Sequence, residues 1–239
     1  MLIIPAIDIL DRKCVRLRQG SYDDSTVFND DPVAMAQQWV QQGARFLHVV
    51  DLEGARSGRP QVLDLLGEIA QLGPPVQIGG GMRELEHLEA ALAAGATRVV
   101  VGSRAADDPE FVREVIQLFG PQAVIGIDAR EGRVAVQGWQ QASARSIEAV
   151  ELAREVERLG AARIVFTDIA RDGMLAGPNF AALAEMIAAV RIPIVASGGI
   201  TRLEDVRRVK ESGAEACIIG RALYSGELTL AAAREAAGE

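Results

Sequence analysis

Short apolar runs recur along the chain. Each is closed by turn residues and followed by a longer amphipathic stretch. The runs predict eight strands: Leu2–Asp8, Arg45–Asp51, Val76–Ile78, Thr97–Val101, Ala123–Asp128, Arg163–Thr167, Ile192–Ala196 and Ala216–Ile219. They are apolar on both faces, which suits a parallel sheet covered by helices. The stretches between them carry helix punctuation. Asp31-Pro32 reads as N-cap and first helical position, and Gly43 as the stop. Asp108-Pro109 opens another helix. Thr201 to Glu204 has the spacing of a capping box, with Gly213 ending that helix, and Ser146 and Asn179 are further N-cap candidates. No stretch reads as an interdomain linker. Eight strands alternating with helices predict an α/β protein, a single closed (β/α)8 TIM barrel over residues 1–239. An open doubly wound sheet is the alternative, but it does not call for the repeat that follows.

Landmarks recur at a near-constant offset. Gly43-Ala44 and Gly160-Ala161 stand 117 apart, as do Asp51 and Asp168. Gly80-Gly81-Met82 and Gly198-Gly199-Ile200 stand 118 apart, as do Leu85-Glu86 and Leu203-Glu204, Gly95-Ala96 and Gly213-Ala214, and Gly102 and Gly220. Asp8 and Asp128 end matching strands 120 apart. A constant offset over so many landmarks predicts two four-strand half-barrels, residues 1–120 and 121–239, related by a pseudo-twofold axis along the barrel.

Charge narrows the partners. With 25 Lys and Arg against 33 Asp and Glu the net charge is −8, and no basic tract stands out. Nucleic acid and anionic membrane surfaces are therefore not expected partners. Small anions remain possible ligands, because backbone N–H groups bind phosphate without basic side chains. No apolar run approaches the ~18 residues of a membrane span, and the chain starts on a strand without a leader pattern. A soluble, cytoplasmic monomer is expected. Cys14 and Cys217 lack metal-type spacing and read as reduced thiols. His48 and His87 are the only histidines, too few for a histidine metal cluster, and the chemistry calls for no metal and no cofactor.

In a (β/α)8 barrel the chemistry lies at the C-terminal ends of the strands. The turns Ser197-Gly198-Gly199 and Gly220-Arg221 follow the seventh and eighth predicted strands, where such barrels commonly hold a phosphate. Plain tight turns are the alternative for either one alone. The repeat predicts a second cradle at Gly79-Gly80-Gly81 and Gly102-Ser103, across the mouth. Two cradles imply one long ligand with a phosphate at each end. Asp8 and Asp128 lie between them, and a pair of carboxylates can divide acid and base work if their environments differ. Asp172, in Thr167-Asp168-Ile169-Ala170-Arg171-Asp172-Gly173, is a third carboxylate, and Thr167 can turn its hydroxyl into the mouth. Arg16 lies on the long connection after the first strand, a cover for the ligand or a surface hairpin with solvated arginines. Trp139 lies on the matching connection after the fifth strand, placed to stack on a heterocycle or on the barrel rim. His48 sits inside the second predicted strand, ordinarily a core or rim position.

Ile4-Pro5-Ala6-Ile7-Asp8-Ile9, Val15-Arg16-Leu17, His48-Val49-Val50-Asp51-Leu52, Gln77-Ile78-Gly79-Gly80-Gly81-Met82-Arg83, Thr167-Asp168-Ile169 with Asp172-Gly173, and Ala196-Ser197-Gly198-Gly199-Ile200 together resemble the ProFAR isomerase family of histidine biosynthesis. The resemblance runs the length of the chain. It implies a half-barrel repeat protein that acts on a substrate with two phosphoribosyl groups. The implied reaction is an Amadori rearrangement of an aminoaldose to an aminoketose. An acid opens the ribose ring to a Schiff base, and a base then removes the C2 proton. The resemblance implies Asp8 as base, Asp128 or Asp172 as acid, and Thr167 as a positioning group. It implies Arg16, Arg83 and Trp139 as substrate contacts, and His48 is carried with them. A relative that also isomerises phosphoribosylanthranilate is the nearest alternative, and the cyclase subunit of imidazole glycerol phosphate synthase a more distant one. From other classes, a flavin-dependent oxidoreductase would leave the duplicate cradle unexplained, and a non-catalytic phosphate binder would not need the aspartates.

Overall fold

A computed structural model describes residues 1–18, 21–136, 141–142, 147–174 and 177–239. The strands are β1 (Leu2–Leu10), β2 (Lys13–Arg18), β3 (Ser21–Asn29), β4 (Leu47–Asp51), β5 (Val76–Gly79), β6 (Arg98–Val101), β7 (Ala123–Arg130), β8 (Arg133–Val136), β9 (Gln141–Ala142), β10 (Ile164–Asp168), β11 (Ile194–Ser197) and β12 (Ala216–Ile219). Eight of them close a parallel barrel in the order β1, β4, β5, β6, β7, β10, β11, β12, with β12 pairing back onto β1. This is the (β/α)8 barrel the alternating pattern predicts. The helices are α1 (Pro32–Gln41), α2 (Leu52–Ser57), α3 (Leu63–Ala70), α4 (Leu85–Ala93), α5 (Ser103–Asp107), α6 (Pro109–Phe119), α7 (Ala149–Leu159), α8 (Phe180–Ala189), α9 (Leu203–Glu211), α10 (Arg221–Tyr224) and α11 (Leu230–Ala237). Among the described residues no helix is long and apolar enough to cross a membrane.

The helix signals act largely as written. Asp31 accepts from the N–H groups of Val33 and Ala34, and Pro32 opens α1. Asp108 accepts from Phe111 N at the start of α6, and Asn179 from Ala182 N at the start of α8. Gly43 and Gly213 follow the last turns of α1 and α9 at φ +93° and +91°, where a Cβ would be strained. The capping box at α9 differs from expectation by one residue. Its acidic partner is Asp205, which accepts from Thr201 N and Arg202 N at 3.0 and 2.9 Å. The Thr201 hydroxyl instead donates to Gly199 O. Ser146 lies outside the described residues.

Two antiparallel hairpins extend the barrel beyond the predicted strands. β2 pairs with the upper end of β1 and carries β3, while β8 pairs with the upper end of β7 and carries β9. β1 and β7 are thus longer than their apolar cores because their ends are shared with hairpin partners.

Alternation along each barrel strand sorts the core. Ile3, Ile7 and Ile9 are fully buried against the helix layer, each side chain worth roughly 1.5–3 kcal/mol of burial. Ile4, Ala6, Phe46, Val124, Val165, Val195, Ala216 and Ile218 form a separate cluster that fills the barrel itself. Near its floor the Arg98 guanidinium lies over the Phe46 ring, 4.9 Å from the centroid, and Arg163 pairs with Glu215. Toward the C-terminal ends the inward positions turn polar, with Asp8, His48 and Thr167 all buried.

Candidate active site

A cavity enclosing about 1420 Å³ of empty space, counted to its open mouth, lies over those strand ends. Asp8, Arg16, His48, Arg83, Asp128, Thr167 and Asp172 line it, as do Gly80, Gly81, Gly102, Ser103, Ser197, Gly198, Gly199, Gly220 and Arg221. Of the catalytic and substrate-binding candidates named from the sequence, Trp139 lies outside the described residues.

The glycine turns match across the barrel. Gly80 and Gly198 have φ +105° and +90°, and Gly81 and Gly199 have +77° and +83°. Gly102 and Gly220 precede α5 and α10 with φ/ψ of −104°/−95° and −108°/−100°. In strand order the β5–β6 turns lie diametrically opposite the β11–β12 turns. Close backbone approach, as well as φ, demands glycine. A Cβ on Gly80 would overlap the Asp51 carbonyl, and one on Gly198 would come within 3.0 Å of the Asp168 carbonyl. On Gly81 it would strike Arg59 at 2.5 Å, and on Gly199 the Gly177 carbonyl at 2.8 Å. Each turn is thereby seated against the loop of the preceding βα unit.

Those neighbouring loops are pinned by a matched pair of aspartates. Fully buried Asp51 accepts from Gly54 N, Gln61 N and Val62 N at 2.7, 2.5 and 3.3 Å. Asp168 accepts from Ala170 N at 3.1 Å and from Asn179 Nδ2 at 2.7 Å. The loop held by Asp168 carries Asp172. Arg221 donates to the Gly173 carbonyl in the same loop, and Arg83 donates to the Ala55 carbonyl at 2.9 Å in the counterpart loop.

Asp8 and Asp128 stand on β1 and β7, four strands apart around the closed sheet, and Asp172 joins them at the mouth. Arg16 is not on a solvated loop. It lies on β2, where antiparallel pairing brings it over the end of β1. It donates to Asp8 Oδ2 at 2.5 Å and to the Ala6 carbonyl at 2.7 Å. Tyr224 of α10 lies under the guanidinium, 5.1 Å from its ring centroid, and donates its own hydroxyl to Ala6 O at 2.8 Å. The Trp39 ring meets Tyr224 edge-on at 5.4 Å. Burial pushes the Asp172 carboxyl up to about 6; Arg16 opposes this, while the charges of Asp8 and Asp128 add to it. Burial also raises Asp8, with Arg16 pulling the other way. His48 is pushed down to about 3 by burial and by Arg16, so its ring is neutral.

Tyr224 and Gln77 were not singled out in the sequence. Tyr224 carries no local signal, since its partner Arg16 is far away in the chain. Gln77 does carry one, a polar residue centred in the apolar run Val76-Gln77-Ile78.

Barrel closure, opposed glycine turns and carboxylates gathered between them define a (β/α)8-barrel protein with a cavity at the C-terminal ends of its strands. The sequence matches the histidine biosynthesis protein family over residues 2–229, and the chain belongs to that family. It is 48% identical over 238 residues to a protein of Thermoanaerobacter pseudethanolicus, covering 99% of this chain and 100% of the other. Proteins of Moorella thermoacetica and Chloroflexus aurantiacus are 50% and 51% identical over 234 residues, with 96% and 98% of this chain and 96% of each relative covered. All three relatives are named 1-(5-phosphoribosyl)-5-((5-phosphoribosylamino)methylideneamino)imidazole-4-carboxamide isomerase.

Proposed function

We propose that this chain isomerises the compound in its relatives' name, ProFAR, an aminoaldose, to the corresponding aminoketose. The observation that carries the reading is the pair of glycine cradles with matching dihedrals on opposite sides of one mouth. The relatives' name places two 5-phosphoribosyl groups on one molecule, and such a ligand offers one phosphate to each cradle. The same match supports descent from a duplicated half-barrel, residues 1–120 and 121–239.

In this reading Asp172 is the acid and Asp8 the base. A carboxyl held near 6 retains its proton far better than an ordinary aspartate, and so suits proton donation. Asp172 protonates the ribose ring oxygen and the ring opens to a Schiff base. Asp8, whose ionised form Arg16 favours against the burial that raises its carboxyl, takes the C2 proton to give an enolamine, which tautomerises to the ketose. Burial first, and then the charges of Asp8 and Asp128, raise the Asp172 carboxyl, and Thr167, buried between the carboxylates' strands, orients the substrate. His48 and Arg83 are substrate-facing groups.

The test is turnover by the purified protein, assayed with ProFAR and separately with phosphoribosylanthranilate. Conversion of ProFAR is expected. A folded protein that converts neither compound would sink the proposal. Conversion of both would extend the activity to a second aminoaldose.

A further inference from the structure

Gln77 is a polar side chain that the carboxylate scheme does not use. It is fully buried in β5, lies behind the cavity rather than on its surface, and pairs in register with His48 on β4. Its Nε2 lies 2.9 Å from His48 Nδ1, and its Oε1 is buried with no hydrogen-bond partner. A polar atom left in that state is unfavourable where an apolar side chain of the same size would fill the space. Packing therefore does not account for a glutamine here, and the His48 contact does. The amide turns Nε2 toward the ring and leaves Oε1 facing away from it without a partner.

We infer that Gln77 is a positioning residue that fixes the tautomer of His48, donating to Nδ1 and so holding the imidazole proton on Nε2. The nitrogen turned away from Gln77 then serves the cavity as a hydrogen-bond donor. Ala6 is the register partner of His48 on β1, Asp8 lies two residues further along that strand, and Arg16 approaches from β2. With a guanidinium nearby and a buried ring, His48 stays neutral and donates from one nitrogen only. On the isomerase reading, on which this use of the donor rests, its target is a substrate oxygen beside Asp8, so that Gln77 acts on the reaction through His48.

The tautomer is read directly by ¹⁵N NMR of the imidazole nitrogens in the full-length protein. A His87→Gln variant assigns the two histidines. In the wild type, Nδ1 is expected unprotonated and Nε2 protonated, unchanged by pH across the neutral range. Gln77→Glu places an acceptor against Nδ1 and is expected to move the proton there. Gln77→Met is expected to lower kcat for ProFAR about tenfold, a factor worth 1.4 kcal/mol, while the wild-type backbone spectrum is kept. A protonated Nδ1 in the wild type would overturn the inference whatever the variants do. So would wild-type turnover in a folded Gln77→Met. If the wild type itself fails to convert ProFAR, the isomerase reading falls, and the tautomer is still decided by the NMR signal.

Discussion

Asp8 and Asp172 sit around one guanidinium but meet it differently. Asp8 takes a direct hydrogen bond from Arg16, whereas Asp172 feels only its charge and, against it, the charges of two other carboxylates. On the proposed scheme their surroundings set the two groups to opposite tasks. Asp8→Asn is expected to lower kcat by about 10³, within the 10²–10⁴ of a general base, while equilibrium dialysis still detects bound substrate. The acid must be protonated, so kcat/KM is expected to fall as pH rises through about 6. Arg16 favours the Asp172 anion, and removing its charge should raise that carboxyl further. The alkaline limb of the pH profile is therefore expected to move to higher pH in Arg16→Met, and an unmoved limb would take Asp172 out of the acid's role. The carboxylates were legible in the sequence because they end apolar strands or mark a turn. Arg16 was legible as a residue but not in its setting, because its direction depends on β2 pairing with β1. Tyr224 was not legible at all, since its role exists only once α10 folds beneath β2.

Among the elements, two pairs of neighbouring βα loops, those after β4 and β5 and those after β10 and β11, meet through glycines. Two substitutions grade that constraint. Gly80→Ala drives a methyl into the Asp51 carbonyl at φ +105°, whereas Gly198→Ala meets the Asp168 carbonyl at 3.0 Å and φ +90°. Urea unfolding is expected to show the larger loss of stability for Gly80→Ala; equal losses would mean the loops yield freely. Asp51→Ala strips three buried or half-buried N–H groups of their acceptor. At ~1–3 kcal/mol for a buried group left unpaired, some of it recovered by water, a loss of roughly 3 kcal/mol is expected in the same measurement. The barrel strands and the main helix starts were readable because apolar periodicity and capping chemistry are local. The hairpins were not. β3 is Ser-Tyr-Asp-Asp-Ser-Thr-Val-Phe-Asn, a strand made by pairing with β2 rather than by a buried face. The short helices α2, α5 and α10 were missed because four to six residues carry too little periodicity to show.

For the molecule as a whole, the two ends of the barrel divide the work. The mouth gathers buried charge, which favours chemistry over stability. The floor carries the Arg163–Glu215 pair, from residues just ahead of β10 and β12, with Arg98 nearby. Arg163, chiefly by its hydrogen bond, holds the Glu215 carboxyl below its ordinary range, with burial opposing. A depressed carboxyl stabilises the fold above its unfolded pKa, and the gain is lost as pH falls through the folded one. The difference in urea midpoint between wild type and Glu215→Gln is therefore expected to shrink as pH drops from 7 to below about 4. A constant difference would assign the role of Glu215 to packing. The conservation of the barrel's closure against acid is thus tested at the end opposite the chemistry.

The seating of Gly81 on Arg59 and of Gly199 on Gly177 bears on how this mouth can be recombined. A chimaera that takes one loop from a relative separates two surfaces shaped against each other, while one that takes both keeps the joint. Substrate range in such barrels should therefore be inherited by neighbouring loop pairs rather than by single loops. Exchanging the segments after β10 and β11 together should leave a foldable protein more often than exchanging either alone.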